Sequence, residues 1–276
     1  MAYLEDPGAR SSPQPAPAPV KIVPGGSSRL LRLIPWIVLL SLLALWEAAA
    51  RLNWVSTLFF PPPSMIGNSL VNLTANGRLA ENLTQTLSRL GLGLLCGGSF
   101  GALIGLLLGW SPAVRLVAEP FIAATHPMPK IALLPLVLII FGIGEQSKIV
   151  LISLAAFFPM LINAMVGVQQ IEGIYWDVAA NYGARGFYLL RRVLLPGSMP
   201  YLLAGLRLAL NAALVVTVAV EQLTARKGLG ANIWLAWETL RTEELYATLF
   251  VIAVIGLSAN WFLSILARRL VPWQVE

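Results

Sequence analysis

Residues 177–200 read DVAANYGARGFYLLRRVLLPGSMP and lie between two long apolar runs. Taken as a helix, Val178, Ala179, Tyr182, Gly186 and Leu189 or Leu190 recur at three- and four-residue steps, while Asn181, Arg185 and Arg192 fall on more polar faces. Gly183 leaves a gap in that helical surface, Pro196, which has no N–H to give, forbids a helix from continuing through it with its hydrogen bonds intact, and the proline at the end of the segment, Pro200, is expected to close it sharply. Arg185, Arg191 and Arg192 would each be costly in hydrocarbon, so the segment belongs at a membrane surface, against lipid or against a partner. A plainer reading of the same spacing is an interfacial helix that only anchors a hairpin.

The flanking runs set the class. Of 276 residues 57% are hydrophobic and 12% charged, with a mean hydropathy of +0.75, whereas a soluble domain carries about a quarter charged residues. The fold class is all-α, a polytopic helical membrane protein with about six transmembrane helices and one cytoplasmic helix. The single cysteine, Cys96, excludes a disulfide framework or a cysteine-based metal cluster within one chain, and beside Gly97 and Gly98 it reads as a small packing residue. The net charge of +6 sits at the ends of apolar runs, as membrane topology requires, rather than in a patch suited to nucleic acid.

Residues 1–28, rich in Pro, Ser, Gly and Ala, are expected to form a flexible cytoplasmic tail, and residues 29–276 the transmembrane domain. The first span runs from about residue 30 to 50; Ala48-Ala49-Ala50 looks like a signal cleavage site, but the long, partly acidic leader favours an uncleaved span. Residues 53–81 read as an outer loop with a short surface helix. Residues 83–110 form a second span whose Gly91, Gly93, Gly97, Gly98, Gly101 and Gly105 permit close helix approach. Residues 113–141 are interrupted at THPMPK, where Pro127 and Pro129 break the run, giving one broken span or a helix followed by a re-entrant stretch. Further spans are expected at residues 148–168, 201–223 and 245–267, with 224–247 polar enough to lie outside. Both termini then fall in the cytoplasm, and basic residues divide ten to six in favour of the side holding residues 177–200.

Within the fifth apolar run, Arg207, Asn211 and Glu221 share one side with Leu214 and Val218 at 100° per residue. Such groups mark a translocation pathway by default, although Arg207 could snorkel and Glu221 could be a boundary residue near the opposite surface. Enzyme chemistry has little support: no nucleophile stands with a base, and the lone His126 reads as a hydrogen bonder at a kink, with no metal site. Gly228-Leu229-Gly230 is no nucleotide loop, since no strand precedes it and no GxxxxGK[ST] occurs.

The spacing Asp177-Val178-Ala179, three residues, Gly183, nine residues, Val193, one residue, Leu195-Pro196 resembles the EAA loop of the membrane subunits of bacterial binding-protein-dependent ABC importers. Asp177 stands for the glutamate, Val178 for the first alanine and Val193 for isoleucine. Residues 127–152 resemble the branch handling nitrate, bicarbonate, taurine and other sulfonates, through the turn Phe141-Gly142-Ile143-Gly144 followed by Glu145 and Lys148, read as holding that turn in water. Gly228-Leu229-Gly230 and the terminal VPW are similar to the same branch. The resemblance implies an inner-membrane permease that is not itself an enzyme. Its coupling loop, residues 172–200, would engage a separate ATPase through Asp177, Val178, Ala179, Gly183, Arg185, Leu195 and Pro196. The implied partners are a second permease copy, cytoplasmic ATP-binding subunits that hold ATP and Mg, and a periplasmic or lipid-anchored solute-binding protein, with no cofactor in this chain. An ion-coupled secondary transporter is the rival reading, disfavoured because the spans show little paired charge.

Overall fold

The computed structural model describes residues 29–272; the expected tail, residues 1–28, lies outside them. The regular structure among the described residues is helical, with no strand. The chain divides into two compact units, residues 1–45 and 46–276. The first is described only as the N-terminal part of α1 (Arg29–Arg51), a helix apolar from Leu33 and long enough to cross a membrane.

The second unit begins in the last turns of α1, where Trp46 meets Tyr246 edge-on at 5.8 Å and Glu47 accepts from Arg51 Nε (2.6 Å) and from the hydroxyl (2.8 Å) and N–H (3.0 Å) of Ser64. There follow α2 (Pro63–Ala75) and α3 (Arg78–Trp110), then α4 (Pro112–Thr125) and α5 (Leu134–Phe141), which are joined by a 3-10 turn at Lys130–Leu133. Next come α6 (Glu145–Gln169), α7 (Gly173–Asn181) and α8 (Gly186–Leu189). A π turn, Leu190–Leu194, leads into α9 (Leu195–Thr224), and α10 (Leu229–Glu238) and α11 (Thr242–Leu270) complete the chain. The apolar helices α1, α3, α6, α11 and the continuous run Gly186–Thr224 are each long enough to span a membrane, and the α4–α5 pair makes a sixth if counted as one span. That pair is bent by 89°, so no straight span passes through residues 113–141.

The bend is held by a lysine rather than by the histidine expected there. Lys130 Nζ donates to the carbonyls of Thr125 (2.8 Å), His126 (3.0 Å) and Met128 (3.0 Å), satisfying acceptors that the end of α4 leaves open. The ammonium also lies 4.2 Å from the centre of the Phe158 ring. His126 packs its ring 5.9 Å from the same phenylalanine.

The core lies among α3, α6 and α9. Lipid is as apolar as leucine, so helices in a membrane gain by close approach and not by hiding apolar surface. In α3 the glycines that serve this are Gly93, Gly97, Gly101, Gly105 and Gly109, one every fourth residue, all facing α6. A Cβ at Gly97 would overlap the Ser153 carbonyl, and one at Gly101 would stand 2.5 Å from the Phe157 carbonyl oxygen. Gly91 and Gly98, grouped with them in the sequence, have nothing within 4 Å of a built Cβ. Leu90, Leu106, Ile152, Ala156, Ala164, Ala209 and Ala213 fill the seam in one buried cluster.

One sequence expectation fails here for a physical reason. The helix does not close at the end of the segment but runs through Pro196 and Pro200 to Thr224. The π turn changes the bonding register just before Pro196, which then occupies the first turn of α9, where a missing N–H costs least. Ser198 Oγ adds a 2.6 Å bond to the Leu194 carbonyl across the same junction. Residues 224–247 contain α10, whose residues Leu229 to Ile233 are all buried against the rest of the bundle. Its packing face is set by short side chains, which hydropathy undervalues.

Candidate functional site

The segment that opened the sequence reading is a short, two-part structure, not one helix from Asp177 to Leu190. α7 ends at Asn181 in a turn that Gly183 closes with φ +67°, a left-handed conformation that residues with a side chain adopt only with strain. Gly183 N–H donates to the Ala180 carbonyl (3.0 Å) and Ala184 N–H to the Ala179 carbonyl (2.8 Å), so the glycine ends the helix instead of leaving a gap in its surface. α8 restarts at Gly186, also at positive φ.

One side of this segment is anchored. Ala179 and Leu194 are buried, and Ile171, Trp176, Leu189 and Val193 pack against the main core. The other side carries Ile174, Tyr175, Val178, Tyr182, Phe187 and Tyr188, all exposed, with Tyr182 at 86%. Asp177 and Arg185 are exposed between them, Arg192 stands over the Tyr188 ring at 6.0 Å, and Leu195 and Pro196 are half-buried at the junction with α9. An apolar, aromatic face with interspersed charges on a short anchored element has the composition of a protein-docking surface.

The second set, on α9, does not stay together. Arg207 Nη2 donates to Ser264 Oγ (3.0 Å), and Asn260 Nδ2 donates to Asn211 Oδ1 (2.9 Å), so both residues face α11. Glu221 is fully buried and turned to other partners.

Those partners form a connected ionic cluster that the sequence reading missed. Arg89, in the N-terminal half of α3, donates through Nε and Nη2 to both oxygens of Glu145 (2.6 and 2.9 Å) and through Nη1 to Glu221 Oε1 (2.7 Å) and the Lys227 carbonyl (2.7 Å). Glu221 also accepts from Thr86 Oγ1 (3.0 and 2.9 Å) and from Gly230 N–H (2.9 Å). Lys148 donates to Glu145 (2.9 Å) and is itself buried, so Glu145 and Lys148 do not simply hold a turn in water. The Gly228-Leu229-Gly230 stretch wraps this carboxylate: Leu229 N–H donates to Thr86 Oγ1 (2.8 Å), Gly228 N–H to Asn82 Oδ1 (2.8 Å), and Gly228 adopts φ +131°. A Cβ there would lie 2.5 Å from the Glu221 carboxyl carbon. The cluster ties α3, the start of α6, the end of α9 and the start of α10. Arg89 and Glu221 lie 132 positions apart, so only opposite charges inside two apolar runs, with a Gly-x-Gly after the second, could have signalled it. The spans therefore do contain paired charge, contrary to the expectation.

Helices long and apolar enough to cross a membrane, tied by an internally neutralised ionic cluster and carrying an exposed aromatic element, define a polytopic helical membrane protein. The chain belongs to the family of binding-protein-dependent transport system inner membrane components, whose model matches residues 97–274. It is 38% identical over 240 residues to the taurine transport system permease protein TauC of Escherichia coli (strain K12), covering 85% of this chain and 87% of that protein. It is 31% identical to the putative aliphatic sulfonates transport permease protein SsuC of Bacillus subtilis (strain 168), covering 84% of each. The corresponding SsuC of Escherichia coli (strain K12) is 32% identical, over 89% of this chain and 93% of that protein. In fold, the chain is similar to one in a structure of the MetNI methionine ABC transporter in inward-facing conformations, with a TM-score of 0.61 at 18% identity, covering 67% of this chain and 93% of that one.

Proposed function

We propose that this chain is the permease subunit of an ATP-driven importer for organosulfonates such as taurine and short alkanesulfonates, within the anion class that includes nitrate and bicarbonate. The observation that carries the reading is the anchored, outward-facing aromatic side of α7 and α8. It gives an external motor a handle on the bundle, and the adjoining run through Pro196 into α9 gives it a lever.

In this reading two copies of the chain pair around the pathway, and cytoplasmic ATPase subunits, which bind ATP and Mg, dock on the α7–α8 face. A periplasmic or lipid-anchored receptor delivers the solute. Asp177, Val178 and Arg185 meet the ATPase, Ala179 seats α7 on the core, and Gly183 sets the angle between the two short helices. Leu195 and Pro196 pass a displacement of that face into α9, which carries Arg207 and Asn211 beside the path. The permease hydrolyses nothing. The test is uptake of labelled taurine into vesicles that hold the chain with its ATPase and receptor. Uptake that needs internal ATP and survives collapse of ion gradients supports the proposal; uptake that follows a proton or sodium gradient without ATP would establish the ion-coupled alternative.

A further inference from the structure

A cleft of about 590 Å³ opens between α9 and α11, lined by Pro200, Leu203, Arg207, Ser264, Arg268 and Val271 among others, with no acidic residue in its wall. Two features of the cleft call for a ligand. First, Arg207 lies in the apolar α9 run, and neither it nor Arg268 has a carboxylate within ion-pair distance among the described residues. By contrast Arg89, within the apolar run of α3, is neutralised by two carboxylates. Second, Arg207, though exposed in the cleft, is fixed in position. Its Nη2 is held across the helix gap on Ser264 Oγ at 3.0 Å, while the Ser264 hydroxyl donates back to the Asn260 carbonyl at 2.9 Å. The serine thus acts as an acceptor that positions the guanidinium, and the rest of that planar fork makes no other hydrogen bond in the cleft.

Two exposed guanidinium groups that share a partly apolar cleft with no carboxylate give it an unbalanced positive charge that a small anion would complement. Arginine forks match the paired oxygens of a tetrahedral oxyanion, and the leucine, proline and valine walls suit a short carbon chain attached to it. We infer that the α9–α11 cleft is a binding site for a small tetrahedral oxyanion group, sulfonate or phosphate, carried on an apolar stem and held by Arg207 and Arg268, with Ser264 as a positioning residue. The charge and shape of the cleft are independent of the import reading. Only the choice of a transported sulfonate over a phospholipid headgroup as the source rests on it.

The test uses the full chain with its ATPase subunits, in nanodiscs of phosphatidylcholine alone and of phosphatidylcholine with phosphatidylglycerol. Ethanesulfonate binding is followed by saturation-transfer NMR, and retained anionic lipid by mass spectrometry of the purified complex. Wild type is compared with Arg207→Gln, Arg268→Gln, the charge-keeping Arg207→Lys, and Arg269→Gln, whose residue does not line the cleft. Losing one charge-assisted contact is expected to weaken binding about tenfold to a hundredfold. Ethanesulfonate binding in neutral discs that Arg207→Gln and Arg268→Gln each weaken by that factor and Arg269→Gln leaves intact identifies a solute site. Selective retention of phosphatidylglycerol, lost in the same two variants, identifies a headgroup site. Arg207→Lys keeps the charge and insertion but loses the fork, so intermediate binding supports the geometry and guards against a misfolded glutamine variant. Equal behaviour of wild type and both cleft variants toward both ligands overturns the inference, as does an equal loss in Arg269→Gln. Failure of ATP-driven taurine uptake with ethanesulfonate binding intact would count against the import reading and leave the site standing.

Discussion

Replacing Arg89 with methionine isolates the contribution of the ionic cluster to holding four helices together. The substitution keeps most of the side chain's length and apolar volume while deleting the guanidinium that bonds Glu145, Glu221 and the Lys227 carbonyl. The two carboxylates then fare differently. Glu145 is about half exposed (54%) and keeps Lys148, so its loss is that of an accessible pair, roughly 0–1 kcal/mol. Glu221 is fully enclosed and is left with the Thr86 hydroxyl and the Gly230 N–H. Stranding a buried charge in this way costs about 3–5 kcal/mol, and that term decides the outcome. The assay is unfolding of the purified chain by SDS titration in mixed micelles, followed by far-UV circular dichroism, for wild type, Arg89→Met, Glu221→Leu and the double variant. Arg89→Met is expected to lose most of that energy, and the double variant to be more stable than the sum of the singles by about 2 kcal/mol or more, because it strands no charge. An Arg89→Met protein within about 0.5 kcal/mol of wild type, or strict additivity, would refute the reasoning.

Two further substitutions probe other parts of the account. Gly97→Ala places a methyl group into the Ser153 carbonyl and should cost about 1–3 kcal/mol or more in the same titration, whereas Gly91→Ala, with open space around it, should leave the midpoint unchanged. Gly183→Val meets no neighbour but cannot comfortably hold φ +67°, so the chain should insert normally while the yield of co-purified ATPase falls; unchanged co-purification would separate this turn from docking.

The sequence made the spans legible because each is a long apolar run bounded by charge or proline, and the turn at residues 142–144 because two glycines punctuate it; Gly142 indeed adopts φ +75°. Finer features depended on bonding that no local pattern records. Gly91 and Gly98 resemble Gly93 and Gly97 in sequence and differ only in which face of α3 meets α6. Pro196 reads as a stop, yet the π turn before it lets the helix pass. Arg207, Asn211 and Glu221 share a face by helical arithmetic, but Arg207 and Asn211 find partners on α11 while Glu221 is claimed by Arg89 from α3 and by the glycine turn ahead of α10. Long-range pairing of charges, and not amphipathic periodicity, separates them.

The most direct test of the central claim is the accessibility of Tyr182, the most exposed aromatic residue of the α7–α8 face. In a chain carrying Cys96→Ser, the single substitution Tyr182→Cys is treated with a membrane-impermeant maleimide, first in intact cells and then in inside-out vesicles with and without the ATPase subunits. The account predicts no labelling from outside, full labelling in stripped vesicles, and protection when the ATPase is restored. Labelling in intact cells, or labelling in vesicles that the ATPase does not diminish, would contradict it.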